Sequence, residues 1–222
     1  MTNYLHPFIH LVFIGLIALF PVVNPIGTAF MVNPYFSELT RKERIRVVKR
    51  IAFFAFCISA LTLFTGHWIL ELFGLSVPVI QLAGGIMICK IGWEFLSSDK
   101  PAVTTATIPE KESNPMARLE NKLFYPITFP MTTGAGTIAV LFTLSAHGEA
   151  KDLSQYLYNT GALLVSIIGI CILIFIFYIN ADRLIKYLGS RNEIIVNRLM
   201  AFLIFCVGLQ IAIGGITHLI KG

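Results

Sequence analysis

Two stretches of this chain repeat the same helix-breaking chemistry. Phe20-Pro21 is followed after five residues by Gly27-Thr28, and Phe129-Pro130 is followed after five residues by Gly136-Thr137. A proline has no N–H to offer the preceding turn, so Pro21 leaves the Ile17 carbonyl without a donor, Pro25 leaves that of Pro21, and Pro130 leaves that of Pro126. Asn24 before Pro25 reads as a helix restarting, with asparagine as N-cap and proline at the first helical position. In the second stretch the restart is expected at Thr132 or Thr133, ahead of Gly134 and Gly136, where a bare backbone lets a ligand approach the N–H groups. A broken helix offers two ends. The free N–H groups of its second half stabilise a carboxylate, and the unpaired carbonyls of its first half receive an ammonium or a cation. A small zwitterion is complementary to both. The candidate substrate-binding residues are therefore Asn24, Pro25, Gly27, Thr28, Thr132, Thr133, Gly134, Gly136 and Thr137, with Pro21, Pro25 and Pro130 as the breaking residues. A single proline kink in a membrane helix is an ordinary structural feature, repaired by neighbours. Two Gly-flanked breaks at matching places favour a site.

The elements that carry these breaks follow from composition. Of 222 residues, 56% are hydrophobic and 13% charged, against about 25% charged in an ordinary soluble domain, and the mean hydropathy is +0.77. Such a chain is neither a water-soluble globule nor, with 18 phenylalanines, a disordered one. Six apolar runs stand out, over 8–32, 51–70, 78–96, 124–146, 158–179 and 194–219. Each is close to the ~20 residues that a membrane helix needs. No alternating segments suggest a barrel, and backbone groups in lipid must bond internally, so the runs are read as helices. The polar stretch 98–122 reads as a linker between two three-span halves, 1–97 and 123–222. Because three crossings reverse direction, homologous halves must lie inverted. A weaker echo supports this, Ile91-Gly92-Trp93-Glu94 against Val207-Gly208-Leu209-Gln210. The expected fold is an all-α polytopic membrane protein, six transmembrane helices as two inverted three-helix repeats, with helices 1 and 4 broken.

Charge placement sets the orientation. The net charge of +5 comes from basic residues in the loops between spans 1 and 2, 3 and 4, and 5 and 6, which points to a topological signal and not to nucleic acid. The positive-inside rule puts those loops in the cytoplasm and both termini outside. No Lys or Arg precedes Arg41, so the first span lacks a signal-peptide n-region and is expected to be retained. The run from Arg41 to Arg50 is read as that topological signal on the first turns of the second helix, with Thr40 and Glu43 spaced as a capping box. All 12 acidic residues fall in loops or at span ends; Glu94 pairs at i,i+4 with Lys90, and Arg198 snorkels from the start of span 6. A charge at mid-bilayer costs about 2.5–3.5 kcal/mol on insertion scales. Spans without central carboxylates suit a neutral or zwitterionic cargo, to which Thr128 and the other threonines offer uncharged hydrogen bonds. Gly84-Gly85 and Gly214-Gly215 are read as close-packing sites. Cys57, Cys89, Cys171 and Cys206 lie in apolar runs and behave as small hydrophobes. No nucleophile with a base, metal-ligand cluster or carboxylate pair converges in the spans, so an enzyme is not expected.

Asn24-Pro25-Ile26-Gly27 in span 1, and the stretch from Pro126-Ile127-Thr128-Phe129-Pro130 to Met131-Thr132-Thr133-Gly134-Ala135-Gly136 in span 4, resemble the two signature segments of the MarC family of inner-membrane proteins. The resemblance extends over essentially the whole chain. It implies a relationship to small neutral amino acid transporters and, distantly, to LysE-type exporters. Phe30 and Ala135 stand where similar sequences often have proline, which bears on the shape of each break. The reading that follows is a secondary transporter of glycine- or alanine-type amino acids in the bacterial inner membrane, working by alternating access. The second reading is an exporter or channel for other small solutes or drugs. No cofactor is called for; a coupling ion, H+ or Na+, is left open. The expected partners are a small zwitterionic substrate and membrane lipids, with a homo-oligomer open and nucleic acid excluded.

His6, His10, His67, His147 and His218 all fall at outer span ends on this topology. They could ligate metal or titrate near neutrality, but the preferred reading is interfacial polarity. Titrating the purified protein with divalent metal is expected to show no saturable binding.

Overall fold

In lipid the cheapest way to satisfy every peptide group is a helix, and the described residues form helices joined by short turns. The computed structural model describes residues 2–97, 119–147 and 153–221. The elements are α1 (Thr2–Val23), α2 (Pro25–Val32), a 3-10 turn at Asn33–Phe36, α3 (Arg41–Leu72), α4 (Val77–Ser97), a wide helix α5 (Leu123–Thr132), α6 (Ala135–His147), α7 (Leu153–Ile179) and α8 (Ala181–Lys221). No strand occurs among the described residues. The greater part of the expected 98–122 linker, residues 98–118, lies outside them.

Four stretches are long and apolar enough to cross a membrane: His6–Phe36, Arg41–Gly66, Ser154–Ile179 and Ala201–Ile220. A bent pair, Leu123–Thr132 with Gly136–Ser145, makes a fifth. The apolar run 78–96 forms the helix α4, 21 residues long, with the Lys90–Glu94 pair 3.7 Å apart on its surface. The outer surface is apolar, with Ile17, Trp68, Trp93 and Ile172 among the exposed large side chains, as expected when lipid is the solvent. The interior is built from Leu19, Val23, Ile127, Leu141, Ile167 and Ile174.

Two helices run further than their apolar runs. α3 has 32 residues and α8 has 41, about 48 and 60 Å at ~1.5 Å per residue, against a hydrocarbon core of ~30 Å. The stretch between spans 5 and 6, expected as a loop carrying Arg183, Lys186 and Arg191, is instead the start of α8. A helix satisfies the backbone wherever nothing breaks it, and this stretch contains no proline. At the start of α3 the capping box is formed, the Glu43 N–H donating to Thr40 Oγ1 and the Thr40 N–H to Glu43 Oε2 at 2.8 Å.

Arg44 departs from the purely topological reading of its basic run. Its side chain is 7% exposed and its guanidinium gathers three elements. It donates to the Tyr178 carbonyl from Nε at 3.1 Å and from a terminal nitrogen at 2.7 Å, to Asn33 Oδ1 at 2.7 Å, and to the Asp182 carboxylate. It also lies 5.3 Å from the centre of the Phe36 ring. The carbonyls at a helix C-terminus lack intrahelical donors. Arg44 supplies one to the end of α7 and so ties α3, the 3-10 turn after α2 and the start of α8 to it.

The closest helix packing is between α4 and α8, which run antiparallel: Gly215 meets Pro78, Gly85 meets Ala212, and Gly92 meets Phe205. A Cβ on Gly85 would lie 2.4 Å from the Ala212 nitrogen, and one on Gly208 would lie 2.6 Å from the Cys89 nitrogen. The contacts are reciprocal. Cys89 and Phe205 stand 116 positions apart, as do Gly92 and Gly208, so the pairs Gly92–Phe205 and Gly208–Cys89 exchange under one displacement along the chain. Of the two expected packing pairs, Gly85 and Gly215 lie in this interface. Gly84 faces Ala139 of α6, and Gly214 has nothing within 4 Å of its Cβ position. Gly85→Ala is therefore expected to cost about 1–3 kcal/mol by overpacking against backbone. Gly214→Ala, in open space, is expected to be neutral or to gain up to ~1 kcal/mol of helix propensity. Thermal unfolding of the two variants in detergent checks the contrast.

Candidate functional site

The first break is made by one residue. Asn24 sits in the left-handed region at φ 46°, ψ 59°, which asparagine tolerates better than most side chains. α1 continues through Pro21 and up to Asn24, whose N–H still bonds the Phe20 carbonyl at 2.9 Å. The interruption therefore lies at Asn24-Pro25 and not at Pro21. Asn24 then caps α2 as expected: Oδ1 accepts the Gly27 N–H at 3.0 Å, and the Asn24 carbonyl receives both the Thr28 N–H and the Thr28 hydroxyl, at 2.9 and 2.8 Å. A Cβ on Gly27 would lie 2.3 Å from Asn24 Nδ2, so this cap requires glycine. The first break is closed by its own side chains.

The second break is wider. Tyr125 and Phe129, each preceding a proline, have extended backbone inside α5, the conformation that a following proline favours. The hydrogen bonds lengthen accordingly, with the Ile127 N–H reaching the Lys122 carbonyl and the Thr133 N–H that of Thr128. Threonine hydroxyls add donors: Thr128 gives to the Leu123 carbonyl at 2.6 Å and Thr132 to the Ile127 carbonyl at 2.7 Å. The restart comes later than Thr132 or Thr133. α6 begins at Ala135, and the Ile138 N–H bonds the Gly134 carbonyl, so glycine takes the N-cap position. The two segments meet at 64°.

These breaks face each other across a cavity of about 210 Å³, larger than the ~150 Å³ that holds a benzene ring in an engineered core. Asn24 and Thr28 line it from the first half, and Pro130, Thr132, Gly134, Gly136 and Thr137 from the second. Val22, Met31, Ile88, Ile91, Met131 and Ile204 complete the wall. No titratable side chain is among the lining residues. Pro25 and Gly27 are buried on α2 behind this surface. Thr133 faces elsewhere, into a small void of about 10 Å³ with Ser59, Ile167 and Ile174, which Thr137 also borders. Six of the candidate positions, Asn24, Thr28, Thr132, Gly134, Gly136 and Thr137, thus share one cavity, together with the breaking residue Pro130.

Tyr178, near the end of α7, is fully buried, and its hydroxyl lies 2.8 Å from Thr132 Oγ1. The same hydroxyl is in reach of the Thr28 side chain. It links α2 to the end of α5 behind the cavity, while the carbonyl of the same residue is held by Arg44. Sequence reading did not single out Tyr178. A tyrosine in an apolar run carries a polar tip that needs a partner, but the partner is known only once the helices are assembled.

With this geometry in place, comparison with known proteins agrees. The family described as MarC family integral membrane protein matches residues 9–220. The chain belongs to the MarC family. The inner membrane protein MarC of Escherichia coli strain K12 is 25% identical over 213 residues, which cover 94% of this chain and 95% of that protein. The inner membrane protein MarC of Shigella flexneri matches to the same extent. No solved structure matches. Membership of the family accords with the apolar helices described above and makes this an integral membrane protein with several crossing helices.

The αL conformation and the side-chain cap at Asn24 can be separated by substitution. Asn24→Gly keeps the backbone conformation and is expected to cost only a few tenths of a kcal/mol as a cap. Asn24→Ala loses the cap, about 1 kcal/mol, and adds an αL penalty of about 1–2 kcal/mol. Thermal unfolding that ranks Asn24→Ala well below Asn24→Gly confirms that one residue sets the first break.

Proposed function

We propose that this member of the MarC family is a secondary transporter of small neutral amino acids, of the glycine and alanine type, in the bacterial inner membrane. The observation that carries the reading is the cavity between the two breaks: it is lined by backbone ends, hydroxyls and small residues, with no titratable side chain among its lining. A net charge there would go uncompensated, whereas a zwitterion brings its own counter-charge. That its relatives are inner membrane proteins supports the location.

The reading includes six spans in two inverted three-helix repeats, with both termini outside. The matched motifs at Phe20-Pro21 and Phe129-Pro130 support the repeat, and so does the close approach that Gly92 and Gly208, paired in the weaker sequence echo, each make to the facing helix. Access would alternate by rocking of one repeat against the other about the cavity. The Arg44 cluster, on the side of the basic helix extensions, is then the closed cytoplasmic end. No chemistry on the substrate is assigned to the protein, and lipids and a small zwitterion are its proposed partners.

Purified protein reconstituted into proteoliposomes is expected to take up labelled glycine or alanine saturably and to show counterflow. Absence of both uptake and counterflow overturns the reading; uptake that neither saturates nor responds to trans substrate favours a channel instead.

A further inference from the structure

The two motifs match in sequence but not in hydrogen bonding. Asn24 and Thr133 hold the same place, four residues after the phenylalanine of each Phe-Pro pair, and Gly27-Thr28 corresponds to Gly136-Thr137. In the first motif the matching donors are used internally: the Gly27 amide goes to Asn24 Oδ1, and the Thr28 amide and hydroxyl both go to the Asn24 carbonyl. In the second, Thr133 turns to the small void beside Ser59, and the N-cap position is a glycine with no side chain to offer. Among the described residues no side chain accepts from the Gly136 or Thr137 amide. The Thr137 hydroxyl, on a residue 2% exposed, is fully buried and has no hydrogen-bond partner.

α6 has 13 residues, enough for aligned peptide dipoles to place about half a positive charge at its first turn. Gly136 and Thr137 of that turn border the cavity. An orphaned buried hydroxyl costs about 1–3 kcal/mol, and the uncapped amides add to this, so the arrangement is satisfied only when something accepts from it. The partial positive charge of the helix start favours an anionic oxygen over a neutral one, and one of low charge, because no cationic side chain lines the cavity to balance a phosphate or sulfate dianion. We propose that the N-terminal turn of α6, with the Thr137 hydroxyl, is a carboxylate subsite, and that the end of α2, already capped by Asn24, is not. The inference rests on the transport reading and narrows it. The carboxylate of a small amino acid lies on α6, and its ammonium is directed to the carbonyl end of α5, where Pro130, Met131 and Thr132 face the same cavity.

The test is direct binding to the purified protein in detergent, which needs no transport. The probes are alanine, propionate and alaninamide. Alanine is expected to bind best, propionate to bind measurably, and alaninamide, which lacks the carboxylate, to bind at least 10-fold more weakly than alanine. Thr137→Val, which keeps the shape and removes the hydroxyl, is expected to weaken alanine binding about 10-fold, and Thr137→Ser to restore it. Alaninamide binding as tightly as alanine, a Thr137→Val protein that binds alanine unchanged, or no binding by either carboxylate probe overturns the subsite. Carboxylate binding without counterflow in proteoliposomes leaves the subsite standing and removes the transport reading.

Discussion

A peptide N–H or carbonyl inside a lipid bilayer has no water to turn to, and this chain places six prolines, Pro7, Pro21, Pro25, Pro34, Pro126 and Pro130, in and around two of its apolar runs. Each removes a donor that a continuous helix would use. Much of the interior answers that loss. Asn24 folds its side chain onto the Gly27 amide, Thr28 donates back one turn, and Thr128 and Thr132 donate to carbonyls of the widened helix. Tyr178 then links the two repaired segments. The repairs leave the start of α6 without a side-chain cap, and it lies where the two breaks converge.

The same physics connects the basic end of the bundle to its centre. Arg44 is tolerated in the interior because its guanidinium makes four hydrogen bonds, to the Tyr178 carbonyl, Asn33 and Asp182. A guanidinium paired in this way is tolerated where an unpaired one would be expelled. Through Tyr178, whose carbonyl meets Arg44 and whose hydroxyl meets Thr132, that charge cluster and the cavity share one residue. A shift of α7 along its axis alters both. This gives the bundle a mechanical link between its end and its cavity without any charged group inside the cavity.

Much of this was legible in the residues because it is local. The cap at Asn24, the proline position after it, the Thr40–Glu43 capping box and the Lys90–Glu94 pair all join residues within four positions, where spacing decides contact. The second restart was misplaced by two or three residues, because the widened turns of α5 depend on how Thr128 and Thr132 bond their carbonyls. The continuous α8 was likewise read as loop and span, since charge in a loop and charge on a projecting helix have the same composition.

The sequence by itself determined that this is a helical membrane protein with two matched proline breaks and no carboxylate at the centre of its spans, because composition and the missing donors of proline hold whatever the tertiary arrangement. Only the tertiary structure decided that the two matched motifs behave differently. Whether a threonine hydroxyl is used depends on the conformation of the residue one turn earlier: Asn24 offers its carbonyl to Thr28, whereas Thr133, at φ −124° and ψ 89°, lies outside the helix and leaves Thr137 without an acceptor. Tyr178 and Arg44 were invisible for a related reason. Their partners lie 46 and up to 138 residues away, and no spacing rule reaches that far.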